Sequence, residues 1–297
     1  MGRTNPFEIF RFKASNLLAI QFIAFFIMLL ITGLFQVMLG GMQMNERTAF
    51  YLTSSFQAVF VFIFPALLAA FLCCGRPLDY LGVESKFNLR EIAGVIILFV
   101  LATPLLNAIV DWNDNVRFPD SMSSLYDQLR EWEDNAAEIT EMILSDASVG
   151  SLIAGILIIG LLTGLAEETF FRAGLQNAII KSGANRHVAV WVAALIFSAL
   201  HFQFFGFIPR LLLGACFGYI FLYTGSLWVA AFAHALNNSV VVIIAWLTAR
   251  GYLEFEPDKI GTGYDNDLWI AFLSGILVIF FICFLWTRFF RPRLTKN

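Results

Sequence analysis

The feature that most constrains the fold of this chain is a series of long stretches without a charged residue. Seven such runs lie at 14–45, 48–75, 92–110, 147–166, 187–209, 211–249 and 268–287. About 18 or more apolar residues are enough for a helix to cross a hydrocarbon layer about 30 Å thick. The runs therefore predict an all-α, polytopic membrane protein whose helices are largely surrounded by lipid.

The composition supports a lipid environment. Charged residues make up 14% of the 297 residues, and 33 residues are Phe, whereas an average soluble domain carries about 25% charged residues. A soluble globule of this size has too little interior to bury so much apolar surface, so a soluble enzyme is excluded. The net charge of -3 and the lack of a large basic patch also exclude nucleic acid as a partner.

The number of spans depends on the run at 211–249. A helix of that length would extend about 58 Å at 1.5 Å per residue, which is too long for one crossing. Gly225 and Ser226 offer a turn within the run, so we predict eight spans, the sixth of which, at about 208–224, is short and begins near Pro209. The first span is expected to be retained, because it is too long for a signal-peptide core.

The loop charges predict the orientation in the membrane. With eight spans, twelve Lys and Arg residues lie on the side of both termini and six on the opposite side, which also carries 16 of the 22 acidic residues. Because positive charge marks the cytoplasmic side, we predict that both termini are cytoplasmic. The membrane would be the plasma (inner) membrane in a bacterium and the endoplasmic reticulum in a eukaryote.

The segment between the third and fourth spans predicts an acidic amphipathic helix at about 120–146. Its apolar residues recur at steps of three and four: Phe118, Met122, Leu125, Leu129, Trp132, Ala136, Ile139 and Ile143. A helix lying on lipid is normally rich in Lys and Arg on its polar face, and this one is not. We expect it to pack on the outer surface of the protein itself, with a lid or a partner-binding helix as the alternative.

Polar residues within the spans are the candidates for function, because ionisable groups in lipid are costly. Six of them stand out: Glu167, Glu168 and Arg172 on the fourth span, His201 on the fifth, and His234 and Asn238 on the seventh. If the fourth helix continues to about 178, then Glu167, His201 and His234 lie roughly 16, 18 and 12 Å from the cytoplasmic boundary. A long, tilted fourth helix would therefore let these groups meet.

The spacing within each helix predicts which groups share a face. Glu168 and Arg172 are four residues apart with the acid first, which is the favourable order for an ion pair. Glu167 is rotated by about 100° from Glu168 and is free to face another group. His234 and Asn238 are also four residues apart and should point into one space.

Two kinds of chemistry suit this set. A carboxylate with a histidine can deprotonate a water, and a second histidine with an amide can donate hydrogen bonds to a developing oxyanion. Equally, Glu167, His201 and His234 are a suitable ligand set for a hydrolytic zinc ion with one position left for water. Each group alone is explained by helix packing, but together, in a chain so poor in charge, they indicate a site. A non-catalytic protein, either a proton-coupled transporter or a scaffold, is the alternative.

Three motifs carry a resemblance to a known family. They are Glu167-Glu168-Thr-Phe-Phe-Arg172, Phe197-Ser-Ala-Leu-His201 and His234-Ala-Leu-Asn-Asn238. Their order and spacing resemble the CAAX prenyl endopeptidases and bacteriocin-processing enzymes, also called the Abi or CPBP family of intramembrane proteases. The resemblance covers about residues 150–248. It implies eight helices, of which the fourth to seventh form a central conical cavity.

The resemblance also implies a division of the chain and a set of roles. Residues 1–148 would hold three spans and the acidic extracytoplasmic helix, 149–249 the catalytic core, and 250–297 a loop and the final span. The implied activity is endopeptidase cleavage of a prenylated protein near its C-terminus, or of a hydrophobic peptide precursor in bacteria. In the implied roles Glu167 and His201 activate the water, His234 and Asn238 stabilise the oxyanion, and Glu168 with Arg172 braces the site or binds substrate. Whether a divalent metal such as zinc takes part is left open.

Overall fold

The computed structural model describes residues 12–290. Within that range the regular structure is entirely helical, which confirms the all-α prediction. The long helices are α1 Leu17–Gly40, α2 Glu46–Cys73, α3 Leu89–Asp114, α4 Ser123–Leu144, α5 Val149–Lys181, α6 Arg186–Ala199, α7 Phe207–Thr224, α8 Leu227–Ala249 and α9 Leu268–Phe289.

Short polar residues set several helix boundaries. Asn88 begins α3 with a capping box, in which its side chain accepts from the backbone N–H groups of Arg90 and Glu91 and the Glu91 carboxylate accepts from the Asn88 N–H. This exchange satisfies donors that the first turn of a helix leaves unpaired. At the C-terminal end of α7, Gly225 stops the helix with a φ of 58°, a left-handed conformation that glycine adopts at little cost. The turn predicted inside the run 211–249 is therefore confirmed.

Seven helices in the described range are long and apolar enough to cross a membrane, so the protein is an integral, multi-pass membrane protein. The eighth candidate, α6, has only 14 residues, or about 21 Å. The predicted short sixth span is confirmed, since α7 covers Phe207–Thr224 with 18 residues, but the fifth span is shorter still, which the charge-free run 187–209 did not indicate. The cause is a turn after Ala199, where Phe202 takes a φ of 54° that no right-handed helix allows. The predicted position of the termini and the three-part division of the chain stay predictions.

The helix α4 forms where the acidic amphipathic pattern predicted it, but its apolar stripe is only partly covered. Ile143 is 1% exposed, whereas Leu125, Trp132 and Ile139 are exposed. The helix contacts the protein, as expected, but most of its apolar stripe does not take part in that contact. The helix contacts the protein through a different side, on which Glu133 accepts hydrogen bonds from the turn before α7.

The helix α5 lies at the centre of the bundle and carries the first motif. Its 33 residues extend about 50 Å, so the long fourth helix predicted from the depth arithmetic is confirmed. Gly164 lets α8 approach closely, because a Cβ there would lie 2.8 Å from the backbone nitrogen of Ala235. Such close contacts through small residues are typical of membrane helices. Two segments of α5, Ile156–Leu162 and Thr169–Gln176, are π-helical, a form frequent at functional sites.

Candidate active site

A buried ion pair on α5 forms the base of the site. Glu168 Oε1 lies 3.0 Å from Arg172 Nη1, and both side chains are 0% exposed, which confirms the pair predicted from their spacing. Arg172 Nη2 donates to the carbonyl oxygen of Gly214 on α7 at 2.9 Å. The guanidinium carbon also lies 4.7 Å from the ring centroid of Phe197 and 5.4 Å from that of Phe217, within cation–π range. Arg172 thus fixes α5 against α6 and α7.

His234 on α8 lies between the two adjacent carboxylates. Its Nδ1 is 2.9 Å from Glu168 Oε1, the oxygen that also meets Arg172, and its Nε2 is 3.7 Å from Glu167 Oε2. The imidazole stacks on Phe217 with a centroid distance of 4.7 Å and is 4% exposed. The ring is therefore held on its face by Phe217 and at Nδ1 by Glu168, while its Nε2 faces Glu167.

The two carboxylates differ in access to water. The Glu167 side chain is 12% exposed, whereas that of Glu168 is 0% exposed. The difference follows from the rotation between neighbouring helical residues, and the π-helical segment begins immediately after Glu168. Glu167 is consequently the carboxylate that a reacting water can reach.

His201 lies just beyond the end of α6 instead of within a span. Its Nδ1 is 2.8 Å from the carbonyl oxygen of Phe197, so Nδ1 carries a hydrogen, and in the neutral ring Nε2 then keeps its lone pair. The Phe197 ring lies between the two histidines, with centroid distances of 5.0 Å to His201 and 5.8 Å to His234. Because the Phe197 ring contacts both histidines and His234 Nε2 is 3.7 Å from Glu167 Oε2, the structure brings these three predicted residues into one neighbourhood.

Asn238 has a different set of contacts. Its Nδ2 donates to the carbonyl oxygen of Ile159 on α5 at 3.1 Å, and its Oδ1 accepts from Asn237 Nδ2 at 3.2 Å. The amide therefore ties α8 to a π-helical part of α5, which is the packing role that interhelical amides often have. The role predicted for Asn238 at the oxyanion stays a prediction. The second N–H of the Asn238 amide would be the donor in that role.

The alternative zinc set can be compared with this geometry. Among residues 12–290, no three His, Cys, Asp or Glu side chains lie close enough together to hold one metal ion. His234 is engaged through Nδ1 with Glu168, and its Nε2 faces Glu167 Oε2. As arranged, Glu167, His201 and His234 do not fit a three-ligand site.

A large apolar cavity adjoins the ion pair. It has a volume of about 570 Å³ and lies among α3, α6, α7 and α9. His187 and Tyr219 line it, with His187 Nδ1 3.1 Å from the Tyr219 hydroxyl. Its wall also includes Leu213 and Ala215, which flank Gly214, the residue whose carbonyl oxygen accepts from Arg172. A second cavity, of about 230 Å³, is lined by Asn238. The conical cavity implied for the fourth to seventh helices stays a prediction.

Several residues around the site were missed by sequence reasoning. Phe217 stacks on His234, Gly214 accepts from Arg172, and Arg210 acts electrostatically on His201. Arg210 offered a signal, because it is a single cation between the charge-free runs 187–209 and 211–249. Phe217 and Gly214 offered none, since they are ordinary members of an apolar helix.

The fold and the site define a multi-pass membrane protein with a buried carboxylate–histidine cluster. Residues 149–240 match the family of type II CAAX prenyl endopeptidases of the Rce1-like kind. The match confirms the resemblance drawn from the three motifs, all of which fall within it, and it favours a membrane protease.

Two proteins of Bacillus subtilis (strain 168) are similar to parts of the chain. One, named "Uncharacterized protein YpbD", is 34% identical over 106 residues, which cover 34% of this chain and 49% of that protein. The other, named "Putative membrane peptidase YdiL", is 27% identical over 123 residues, which cover 41% of this chain and 49% of that protein. The chain thus spans about half the length of these curated relatives. No solved structure matches it.

Proposed function

We propose that the protein is an intramembrane endopeptidase that uses a water activated by Glu167 to hydrolyse a peptide bond. The observation that carries the proposal is the position of His234 between Glu167 and Glu168, with distances of 3.7 and 2.9 Å. A structural clamp needs only the Glu168–Arg172 pair. The additional, partly accessible carboxylate beside two histidines is the arrangement expected for general base catalysis.

In this mechanism Glu167 removes a proton from a water molecule, and the oxygen of that water attacks the carbonyl carbon of the scissile bond. His201 Nε2, which has a free lone pair, accepts the second hydrogen of that water as a hydrogen bond and orients it. The C–N bond then breaks, and the proton taken up by Glu167 passes to the leaving amine. Glu168 and Arg172 hold His234 in position, and His234 and Asn238 are the proposed partners of the oxyanion.

The substrate proposed is a hydrophobic or prenylated peptide that arrives within the bilayer. The apolar cavity has a volume of about 570 Å³, within the range of about 300–1,000 Å³ that is usual for pockets that bind small ligands. It could therefore hold the apolar part of a substrate. Leu213 and Ala215 in the cavity wall flank Gly214, which accepts a hydrogen bond from Arg172 of the ion pair, so an apolar group bound there would lie on the side of α7 next to the site. This placement favours a substrate with an apolar anchor.

The test is cleavage of a defined peptide by the full chain in liposomes. A farnesylated peptide and its unmodified counterpart, each with a fluorophore and quencher, are supplied, and the products are identified by mass spectrometry. We expect cleavage at one internal peptide bond and a loss of about 10²–10⁴-fold in rate for His201→Ala. Substrate-dependent proton flux without cleavage would contradict the proposal and favour a transporter.

A further inference from the structure

The acidic helix α4 has no role in the proposed function, yet it reaches the turn that carries His201. Glu133 Oε1 accepts a hydrogen bond from Gln203 Nε2 at 3.0 Å, and Glu133 Oε2 accepts from the backbone N–H of Phe205 at 3.1 Å. Asn113, at the end of α3, accepts from the Ile208 N–H at 2.8 Å. The turn between α6 and α7 is therefore anchored by two other helices.

The same turn holds Arg210. Its Nη2 donates to Gln203 Oε1 at 2.6 Å, and its Nη1 donates to the Gln203 carbonyl oxygen at 3.2 Å. The guanidinium also rests directly on Gly206, where a Cβ would lie 2.7 Å from Arg210 Nη2. Any side chain at position 206 would displace the guanidinium, so the absence of a side chain at Gly206 allows the turn to hold Arg210 in this position.

The charge of Arg210 is not neutralised by a direct ion pair. In the described part of the chain no carboxylate lies within 4.0 Å of its guanidinium, although Glu133 and Glu167 both act on it electrostatically. Arg210 in turn acts on His201, as do Glu167 from α5 and His234 from α8. Gln203, to which Arg210 donates two hydrogen bonds, is two residues from His201, and a half-buried cation in this turn is screened less by water than an exposed one.

We propose that Arg210 is a positioning residue for the reaction, whose charge orients the Glu167 carboxylate and the His201 ring, and that Glu133 on α4 holds it through Gln203. The inference rests on the proposed function and gives α4 a part in it. It also explains why a helix outside the spans directs the Glu133 carboxylate inward while Leu125, Trp132 and Ile139 stay exposed. Misplacement of reacting groups by about 1 Å can cost about 10²-fold in rate.

The test compares two replacements of Arg210 in liposomes. Glutamine keeps hydrogen-bond donors for Gln203 but removes the charge, whereas lysine keeps the charge. We expect Arg210→Gln to lower kcat by about 10²-fold with little change in KM, and Arg210→Lys to recover most of that loss. Equal kcat values for Arg210→Gln and Arg210→Lys would overturn the proposal, because they would show that the charge has no effect.

Two further variants test the position of the Arg210 guanidinium separately from its charge and from the stability of the protein. Gly206→Ala keeps Arg210 but displaces its guanidinium, and the Gly206 backbone, with a φ of -111°, accepts alanine without strain. We expect a fall in kcat with an unchanged thermal unfolding midpoint. Glu133→Gln should also lower kcat, whereas Glu131→Gln, at an exposed position of the same helix, should not. Wild-type kcat in Gly206→Ala would overturn the proposal.

Failure of this inference is distinguishable from failure of the proposed function. If the wild-type chain cleaves no peptide, or if Glu167→Gln cleaves at the wild-type rate, the proposed function fails. If Glu167→Gln is inactive while Arg210→Gln retains the wild-type kcat, only the role of Arg210 is wrong.

Discussion

Glu168 and His234 are 66 residues apart in the sequence and meet through a 2.9 Å hydrogen bond between Oε1 and Nδ1. The same carboxylate oxygen lies 3.0 Å from Arg172 Nη1, so one atom links α5 with α8 and also balances a buried cation. This arrangement fixes the imidazole and leaves Glu167 as the carboxylate that faces accessible space. It supports the proposed structural role of Glu168 and the proposed chemical role of Glu167.

Loss of the Glu168 charge should destabilise the protein. Glu168→Gln leaves the 0% exposed Arg172 side chain without a counter-charge, and breaking a buried pair in this way costs about 3–5 kcal/mol. We expect a clearly lower thermal unfolding midpoint in detergent, together with loss of cleavage. As a control, Glu84→Gln removes one partner of the exposed pair with Arg76 and should change stability by less than about 1 kcal/mol. Equal midpoints for the two variants would contradict the account.

Close approach of α5 and α8 should be sensitive to a single methyl group. A Cβ at position 164 would lie 2.8 Å from the backbone nitrogen of Ala235, and overpacking of this kind costs about 1–3 kcal/mol. We expect Gly164→Ala to lower the unfolding midpoint and, because α8 carries His234, to reduce cleavage. Gly33→Ala, with nothing within 4 Å of the new Cβ, is the matched control and should leave both properties near the wild-type values.

The junction of α4 and α5 should be sensitive to acid. The backbone N–H of Ser148 is the main cause of a lowered pKa of Asp146, and Arg47 at 2.7 Å adds to it. A carboxyl group whose pKa is lower in the folded state stabilises the protein above its unfolded value of about 3.9 and loses that contribution as pH falls through the folded pKa. We expect Asp146→Asn to be less stable than the wild type at pH 7.

The same comparison at lower pH provides the check. The difference in unfolding midpoint between the wild type and Asp146→Asn should shrink as pH falls below about 3.9. A difference that stays constant across this range would show that the ionised carboxylate does not stabilise the junction.

Removal of divalent metals should leave cleavage unchanged if Glu167 acts on water directly. The described residues bring no three ligands together, so we expect treatment of the active liposomes with a chelator to have no effect on the rate. Loss of activity that added zinc restores would contradict the mechanism and support the zinc alternative.

The spans and the ion pair could be predicted from the sequence because each depends on local spacing. A charge-free run in lipid has to form a helix to satisfy its backbone, and residues four apart on a helix are neighbours. These rules placed α5 and the Glu168–Arg172 pair. The depth of each group along its span added the neighbourhood of Glu167, His201 and His234, and the family motifs added their implied roles.

The remaining features depend on contacts between distant segments. The shortening of α6 follows from the φ of 54° at Phe202, and phenylalanine within an apolar run gives no sign of such a turn. The contact of Asn238 with Ile159 depends on a π-helical segment whose limits the apolar run 147–166 does not mark. The contacts that position Arg210 depend on the packing of α4 against the turn between α6 and α7, so the sequence alone does not show them.

The most direct test of the central claim is the cleavage rate of Glu167→Gln in the same liposomes as the wild type. The amide keeps the size of the side chain but accepts no proton, so we predict a fall of about 10²–10⁴-fold in kcat with an unchanged unfolding midpoint. Glu138→Gln, at an exposed position of α4, should cleave at the wild-type rate. Cleavage by Glu167→Gln at the wild-type rate would contradict the account, because the proposed base would then take no part in the reaction.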